Sequence, residues 1–497
     1  MSYIRKKISK SDKVSAFEIT AKWDPVKKQS RCVSKYLGMI DGAGNILAKG
    51  SREKPNRSQK ASKLGVEFCQ ENLIQDFGNA YLVFEFLKKS SIYEPLRFAF
   101  EAYPELGSLM TYRLCNPGPM YNCQPWVEGT VLQTLVHKTL EKAQRLSSQN
   151  ISRVLAYLGK ESVQRTFFST YLKSEKLGAA NGKKVIVDAT SLPNQIKSDF
   201  NAWGHSDDGI ERQFRFHCVV DLKTKNPIYY RTVPGNITDV STLETTIAEL
   251  KAFGVESSFA LLDAGFCSAN NLKYLYGHGI DFLTRIPASR VVYKDMIKTH
   301  AAGLESLENA LKYGKRVLFG KTVKTFLYGN EGYVYIILDP TKKAKDITQL
   351  IEERDGADKS NQRDEECDAF TFSRAGIFML ASSKEIPIQD VMGSYYMRQT
   401  VEQVFGYSKD DLDMLPIRRH SEATIRGYLF LQFLLLVVFL ELRRLLEQKF
   451  TVEQALLHAR QLKCKIFPNQ IVVQEPTRKQ KDIFKACSII VPTSLGI

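Results

Sequence analysis

The stretch Lys184-Val185-Ile186-Val187-Asp188-Ala189-Thr190 decides the fold class of this 497-residue chain. A β-branched run that ends in an acid is typical of a buried strand with a carboxylate at its C-terminal end. The stretch Phe259-Ala260-Leu261-Leu262-Asp263-Ala264-Gly265-Phe266 repeats that pattern. Sites in open sheets form where strands end, so Asp188 and Asp263 are expected to lie close together.

The residues around these two acids predict the order strand, strand, strand, helix, strand. The five elements are expected at 183–190, 213–222, 227–233, 241–253 and 257–263. A helix at 267–277 and a strand at 280–286 should follow. Strands and helices that follow one another in this way predict an α/β domain with a central sheet.

A third carboxylate lies in the stretch Tyr395-Tyr396-Met397-Arg398-Gln399-Thr400-Val401-Glu402, which continues to Lys409. The steps between Tyr395, Arg398, Glu402 and Lys409 would place all four side chains along one face of a helix. We expect this helix to begin near Pro387. A tyrosine, two cations and one carboxylate make a poor core face but a good face for a metal ion and phosphates. The alternative for Arg398 is an ordinary ion pair with Glu402 along the helix.

Asp188, Asp263 and Glu402 are therefore predicted to converge as catalytic residues and metal ligands. Hard oxygen ligands select Mg²⁺ or Mn²⁺. Two such ions about 3.5–4 Å apart can activate an attacking hydroxyl and stabilise the leaving oxygen of a phosphodiester. We expect Arg398 and Lys409 to contact DNA phosphates, and Tyr395 to contribute through its hydroxyl.

The motifs, taken in order, resemble the DDE transposases of bacterial insertion sequences. The greatest likeness is to the subgroup with a Tyr-x2-Arg-x3-Glu-x6-Lys signature. Two phrases agree with this: Trp203-Gly204-His205-Ser206-Asp207 after the first aspartate, and Val233-Pro234-Gly235-Asn236-Ile237-Thr238-Asp239 before the second. The resemblance is clear over residues 145–446 and weaker at the N-terminus.

The resemblance implies an RNase H-like catalytic core and cut-and-paste DNA transposition. A homodimer would bind the terminal inverted repeats, hydrolyse the 3′ strand at each end, and join the freed 3′-hydroxyls to target DNA. Some relatives stack a flipped base on a tryptophan between the second and third acids, and this chain has none there. Trp203, in a predicted polar loop, is one substitute, with a core role as its alternative, and a Tyr or Phe of the insertion is another. The hairpin step is therefore left open.

Two other function classes were weighed. A retired transposase that still binds the ends and acts as a repressor would keep specific binding but lose metal-dependent cleavage. A single-strand transposase would want a His-x-His metal pair, which the sequence lacks. A serine or tyrosine recombinase would form a covalent DNA–protein link, which a DDE enzyme does not.

Composition favours a DNA-binding protein of a reducing compartment. The formal net charge is +16, and the isoelectric point is near 9.2. Residues 1–64 hold 16 Lys+Arg and 5 Asp+Glu, a net of +11 (16 − 5). Nine cysteines without a Cys-x-x-Cys pair argue against a zinc site and a disulfide framework.

The apolar run 428–440 is too short to span a bilayer comfortably and predicts a buried helix. We expect a cytoplasmic protein that is nucleoid-associated when bound to DNA, with no membrane contact.

The sequence predicts five parts. Residues 1–64 form a basic β-rich unit that contacts DNA, ending in a linker at 50–58. Residues 65–180 are helical and include a candidate DNA-end-binding helix from Ser147, with an ordinary surface helix as the alternative. Residues 181–289 and 371–446 form the catalytic core. Residues 290–370 form a partly β insertion domain, and 447–497 a C-terminal tail for dimer or DNA contact.

Overall fold

A computed structural model gives the fold of the chain. It describes residues 2–496 except 9–13, 25–28, 41–43, 45, 49–72, 101–102, 138–145, 175–176, 178–180, 197, 199–200, 207–208, 356–364, 420 and 448. The predicted linker at 50–58 and the boundary at residue 64 lie outside the described residues. Two compact units, Met1–Leu73 and Ile74–Ile497, make up the chain.

The N-terminal unit contains an antiparallel sheet with the strand order β1-β2-β3-β4. Its strands are β1 (Ser2–Ile8), β2 (Val14–Asp24), β3 (Gln29–Ile40) and β4 (Ile46–Ala48). Phe17 of β2 lies opposite Tyr36 of β3, and their ring centroids are 5.2 Å apart. Such cross-strand aromatic pairs stabilise a sheet and fix which residues share a face.

The second unit begins with a short strand, β5 (Leu73–Asp76), whose last three residues belong to it, and continues with helices. The described helices before the core sheet are α1 (Gly78–Lys89), α2 (Tyr93–Ala99), α3 (Tyr103–Cys115), α4 (Cys123–Glu128), α5 (Leu132–His137), α6 (Ser148–Leu158) and α7 (Glu161–Tyr171). Ser147 caps α6, because its side chain accepts a hydrogen bond from the N–H of Asn150. Ile151 and Leu155 of α6 are buried.

The core of the second unit is a mixed sheet that carries Asp188 on its first strand. Its strands are β6 (Asn181–Pro193), β7 (Ala202–Ser206), β8 (Gly209–Asp221), β9 (Pro227–Pro234), β10 (Glu256–Leu262) and β11 (Asp281–Ile286). Strand β6 lies between β8, which is antiparallel to it, and β10, which is parallel. Helix α8 (Leu243–Ala252) leads into β10, and helix α9 (Ala269–Gly277) connects β10 with the parallel β11.

The order β9-β8-β6-β10-β11 confirms the predicted RNase H-like core. Three antiparallel strands are followed in sequence by two parallel ones, as the resemblance implied. The strands begin and end within a few residues of the predicted limits, except that β6 and β8 are longer.

The segment between Asp263 and Glu402 extends this sheet. Its elements are α10 (Val291–His300), β12 (Ala310–Tyr313), β13 (Arg316–Leu327), β14 (Asn330–Leu338), α11 (Pro340–Asp355), α12 (Glu365–Ser373) and β15 (Ile377–Ser382). Strand β15 pairs with β11 on one side and β14 on the other, and β13 and β12 continue outward. The strands of the predicted insertion therefore continue the core sheet.

The chain then forms α13 (Ile388–Tyr396), α14 (Gln399–Gly406), a π-helical turn (Tyr407–Asp411) and the long helix α15 (Glu422–Leu446). Helix α15 is the one described helix long and apolar enough to cross a membrane, and 83% of its most apolar window is buried inside the protein. A Cβ atom on Gly427 would lie 1.8 Å from the carbonyl oxygen of Leu155. Glycine is therefore what lets α6 and α15 pack backbone to backbone.

The C-terminal part is ordered in the described residues. It holds α16 (Val452–Arg460), β16 (Lys463–Ile466), β17 (Gln470–Val473), α17 (Arg478–Ala486) and β18 (Ser494–Gly496). These strands join β5 in a small sheet of the order β18-β17-β16-β5. The predicted tail is thus packed onto the helical region, and its role in dimer or DNA contact stays a prediction.

Candidate active site

Three carboxylates meet at the end of the core sheet. Asp188 lies within β6, and Asp263 directly follows β10. Because Leu262 of β10 is the register partner of Val187 of β6, the next residue on each strand is an aspartate. Glu402 reaches the same place from α14. The structure thus brings together the three acids that the sequence singles out.

The guanidinium of Arg398 lies between these three acids. Its Nη1 donates to Oδ2 of Asp188 at 2.6 Å, and its Nη2 donates to Oε1 of Glu402 at 2.5 Å. Its Nε is 3.6 Å from Oδ1 of Asp263. The alternative interpretation of Arg398, an ion pair with Glu402, is present in the structure, while its phosphate contact stays a prediction. All three carboxylates are therefore aimed at one positive charge.

Asp188 is the most buried of the three carboxylates. Its side chain is 8% exposed, whereas those of Asp263 and Glu402 are 37% and 50% exposed. Burial above all, together with the charge of Asp263, raises the pKa of Asp188 to about 7, although Arg398 opposes the rise. Its Oδ1 also accepts a hydrogen bond from the N–H of Ala189 at 2.8 Å. A buried acid that needs a cation is typical of a functional site.

Tyr395 lies on the same side of the site. Its ring centroid is 5.9 Å from the guanidinium carbon of Arg398. Burial, with the nearby charge of Asp263, raises the pKa of Tyr395 to about 12. The phenol is therefore a neutral hydrogen-bonding group at physiological pH.

The predicted continuous helix from Pro387 is wrong, and this changes the position of Lys409. The helix ends at Tyr396 and a new one begins at Gln399. Between them the chain tightens, since the N–H of Arg398 donates to the carbonyl of Tyr395, three residues back. Lys409 lies on the π-helical turn, and among the described ion pairs it has none with the three acids. Its phosphate contact stays a prediction.

The predicted loop around Trp203 is a strand instead. Residues Ala202–Ser206 form β7, which pairs with the N-terminal end of β8. Trp203 is 60% exposed, which excludes the core alternative, and the guanidinium of Arg212 lies 5.7 Å from its ring. Its partner Arg212 is six positions along β8 from Cys218, the partner of Asp188, a span of roughly 20 Å. The structure therefore does not bring Trp203 to the carboxylates, and its DNA contact stays a prediction.

The two phrases that carry the resemblance pack against each other. A Cβ atom on Gly204 would lie 2.3 Å from the carbonyl oxygen of Gly235, and one on Gly235 would lie 2.5 Å from that of Ala202. Such contacts leave no room for a side chain. Gly204 and Gly235 therefore allow the backbone of β7 to pack against the backbone at the end of β9.

A buried network that the sequence reasoning missed supports the turn after Asp263. Arg215 donates to Oδ2 of Asp239 at 2.7 Å, and Nε2 of His217 is 3.7 Å from its Oδ1. A Cβ atom on Gly265 would lie 2.9 Å from the same carboxylate. Burial, reinforced by Arg215 and Arg231, lowers the pKa of His217 to about 3, so the imidazole is neutral. The sequence signal for this network was the spacing of Arg215 and His217, which are two residues apart on a predicted strand and therefore share a face of it.

The three acids suit a hard divalent cation by their chemistry but not in their present spacing. Within the described residues, no three His, Cys, Asp or Glu side chains stand close enough together to hold a metal ion. The guanidinium of Arg398 occupies the space towards which the oxygens of Asp188, Asp263 and Glu402 point. The donor set therefore fits a metal ion if Arg398 moves away.

Residues 180–438, more than half of the chain, match the family model of the transposase DDE domain. The chain belongs to this family of transposases. The match spans all three acids, and the expected kinship with DDE transposases is confirmed. No curated protein matches the chain. A solved structure with a similar fold is the cryo-EM structure of a piggyBac transposase synaptic complex with hairpin DNA, with a TM-score of 0.41 and 11% identity over 85% of this chain and 80% of that one.

Arg398→Gln is expected to lower the thermal unfolding midpoint of the metal-free transposase by several degrees. Removing one partner of a buried ion pair leaves an uncompensated charge, here on Asp188. Adding Asp188→Asn to that variant should recover most of the loss, because an amide needs no counter-charge. Circular dichroism in EDTA, at a pH above the pKa of Asp188, measures both midpoints.

The matched control is Arg165→Gln. Arg165 and Glu161 form an ion pair of 2.8 Å with side chains 69% and 61% exposed, and such surface pairs contribute about 1 kcal/mol at most. Equal shifts for Arg398→Gln and Arg165→Gln, or no recovery in the double variant, would contradict the charge balance described here.

Proposed function

We propose that this protein is the transposase of a bacterial insertion sequence, in the subgroup with the Tyr-x2-Arg-x3-Glu-x6-Lys signature. It would act as a metal-dependent endonuclease and strand-transfer enzyme in cut-and-paste transposition. The observation that carries the proposal is the convergence of Asp188, Asp263 and Glu402, from two strands and a helix, on one cation.

Asp188, Asp263 and Glu402 would hold two Mg²⁺ or Mn²⁺ ions in place of the guanidinium. When bound, these ions would supply the positive charge that offsets the charge developing on the reacting phosphodiester. The pairing of β6 with β10 fixes the positions of Asp188 and Asp263, and α14 brings Glu402 to them. The three carboxylates would therefore fix the position of the metal charge. Arg398, once released, stays beside the site and can turn its planar fork to two phosphate oxygens.

The substrate would be the DNA at the two ends of the element. Water cleaves the 3′ strand at each end, and the freed 3′-hydroxyls attack target DNA, so each phosphodiester is hydrolysed or exchanged for another. No nucleotide is consumed, and the sequence has no Gly-x4-Gly-Lys-Ser/Thr loop. Two copies of the chain would bring the two ends together, in the cytoplasm and on the nucleoid, where that DNA lies.

We also propose that the N-terminal sheet contacts DNA through one face. Tyr3, Arg5 and Lys7 alternate along β1, and Arg5 lies opposite Phe17, which is paired with Tyr36. These residues therefore share a face. Trp23 of β2 belongs to the same face by strand alternation, and its side chain is 65% exposed. Cations beside exposed aromatic rings suit phosphates and bases.

Replacing Arg5 and Lys7 by Gln should weaken DNA binding and reduce its salt dependence, because fewer counterions are released. Two lost phosphate contacts would lower the slope of log K against log salt by about 1.8 for duplex DNA. The matched control replaces Lys6 and Lys22, which lie on the opposite face of the same strands. Equal effects of the two double variants, or none, would contradict the assignment of the face.

The cleavage test uses linear DNA that carries the sequences flanking this gene, with Mg²⁺ or Mn²⁺ and with EDTA. Wild type should cut at inverted repeats only with metal. Asp188→Asn should bind the same DNA nearly as well and not cut it, because a neutral amide is a poor metal ligand.

Asp390→Asn is the control for this loss of charge, since Asp390 is an exposed acid on the neighbouring helix α13. It should cut like wild type. Normal cutting by Asp188→Asn would contradict the site. Specific binding by wild type without any cutting would favour the repressor function instead.

A further inference from the structure

A cavity of about 510 Å³ opens directly beside the candidate active site. Three of the residues around it, Tyr395, Arg398 and Glu402, belong to that site. Other cavity residues come from the segment between the second and third acids and from the neighbouring strands. Those with a charge are Arg285, Arg316, Asp339, Lys342 and Lys345.

The cavity carries an excess of positive charge. Its lining contains five cations and two acids, a formal net of +3 (5 − 2). Glu402 accepts from Arg398, and Asp339 accepts from the N–H groups of Thr341 and Lys342 at the start of α11 and forms a long ion pair with Arg316, so the two acids offset only part of the positive charge. Cations without counter-charges in a concave surface attract anions.

The four cavity cations other than Arg398 have few ion-pair partners. Arg316 has a long ion pair of 3.8 Å with Asp339, and its side chain is 68% exposed. Among the described ion pairs, Lys342 and Lys345 have none. The guanidinium of Arg285 lies 5.8 Å from the ring of Phe378, and among the described ion pairs it has none. Four side chains can therefore receive an anion.

The sheet holds these cations at fixed positions relative to the carboxylates. Arg285 is on β11, next to β10, which leads to Asp263. Arg316 is on β13, which is connected to β11 through β14 and β15. Lys342 and Lys345 lie one turn apart on α11. The segment between Asp263 and Glu402 thus places four cations in the cavity beside the candidate active site.

We propose that this cavity binds the phosphodiester backbone of the DNA next to the phosphate that is cleaved. The proposal rests on the proposed function and assigns the segment between Asp263 and Glu402 a role in it. A polyanion is the ligand that fits, because the cations are spread over two strands and a helix instead of converging on one point. Arg398 lines the same cavity, so a polyanion bound there would lie beside the reacting phosphate.

The test compares two double variants. Lys342→Gln/Lys345→Gln removes two charges from the cavity. The matched control, Lys294→Gln/Lys298→Gln, removes two charges from exposed positions of α10 that do not line the cavity. All four positions are on helix surfaces, so both variants should fold, and far-UV circular dichroism checks this.

The probe is a DNA duplex with a single-stranded 3′ overhang, titrated over a range of salt concentrations. The slope of log K against log salt should fall by about 1.4 to 1.8 for the cavity variant, the value for two lost phosphate contacts, and stay unchanged for the control. Arg316→Gln should lower it by about half as much. An unchanged slope in both cavity variants would overturn the proposal.

A second measurement locates the contact. In the DNA that wild type cuts, single phosphates near the cleavage site are replaced by uncharged methylphosphonates. Replacements at the contacted positions should weaken binding of wild type and of the α10 control but not of Lys342→Gln/Lys345→Gln. The same sensitivity in all three proteins would overturn the cavity assignment while metal-dependent cutting still supports the transposase function. Failure of wild type to cut would count against that function.

Discussion

The site depends on one interaction, the contact of the Arg398 guanidinium with three carboxylates. Asp188 is buried and would be costly as a free charge, so its ionised form requires a cation nearby. Asp263 and Glu402 are more exposed and complete the anionic pocket. In the absence of metal, Arg398 neutralises this pocket and holds the two aspartates and the helix of Glu402 close together. In the metal-bound state that we propose, the same residue would move away from the three acids.

The fold makes this contact geometrically stable. Asp188 and Asp263 end up side by side because β6 and β10 are paired and parallel. Glu402 lies on α14 and Arg398 on the tight turn directly before it, so the backbone places the two side chains next to each other. The Arg215–Asp239 pair supports the turn that follows Asp263. The sheet that positions the acids also carries two cations of the adjacent cavity, Arg285 and Arg316, so the site and the cavity share one framework.

Much of the core could be predicted from local sequence, and the reasons are physical. The runs before Asp188 and Asp263 are apolar, and the first is also β-branched, because those strands are buried in the sheet, and the acids interrupt that pattern visibly. The break at Met397–Arg398 could not be predicted, since every residue there is compatible with a helix. Strand β7 was predicted as a loop because its sequence, Ala-Trp-Gly-His-Ser, lacks the β-branched residues typical of a strand. The cavity of Arg316, Lys342 and Lys345 depends on pairing between distant strands, for which a single sequence gives no local signal.

In the active state that we propose, a divalent metal ion takes the place of the Arg398 guanidinium between the three acids. Anomalous diffraction from crystals of the protein soaked in Mn²⁺ distinguishes the two occupants. We expect anomalous density bounded by Asp188, Asp263 and Glu402, with the side chain of Arg398 turned away from it. Density elsewhere, or Mn²⁺ bound while Arg398 still bridges the three carboxylates, would rule out this exchange.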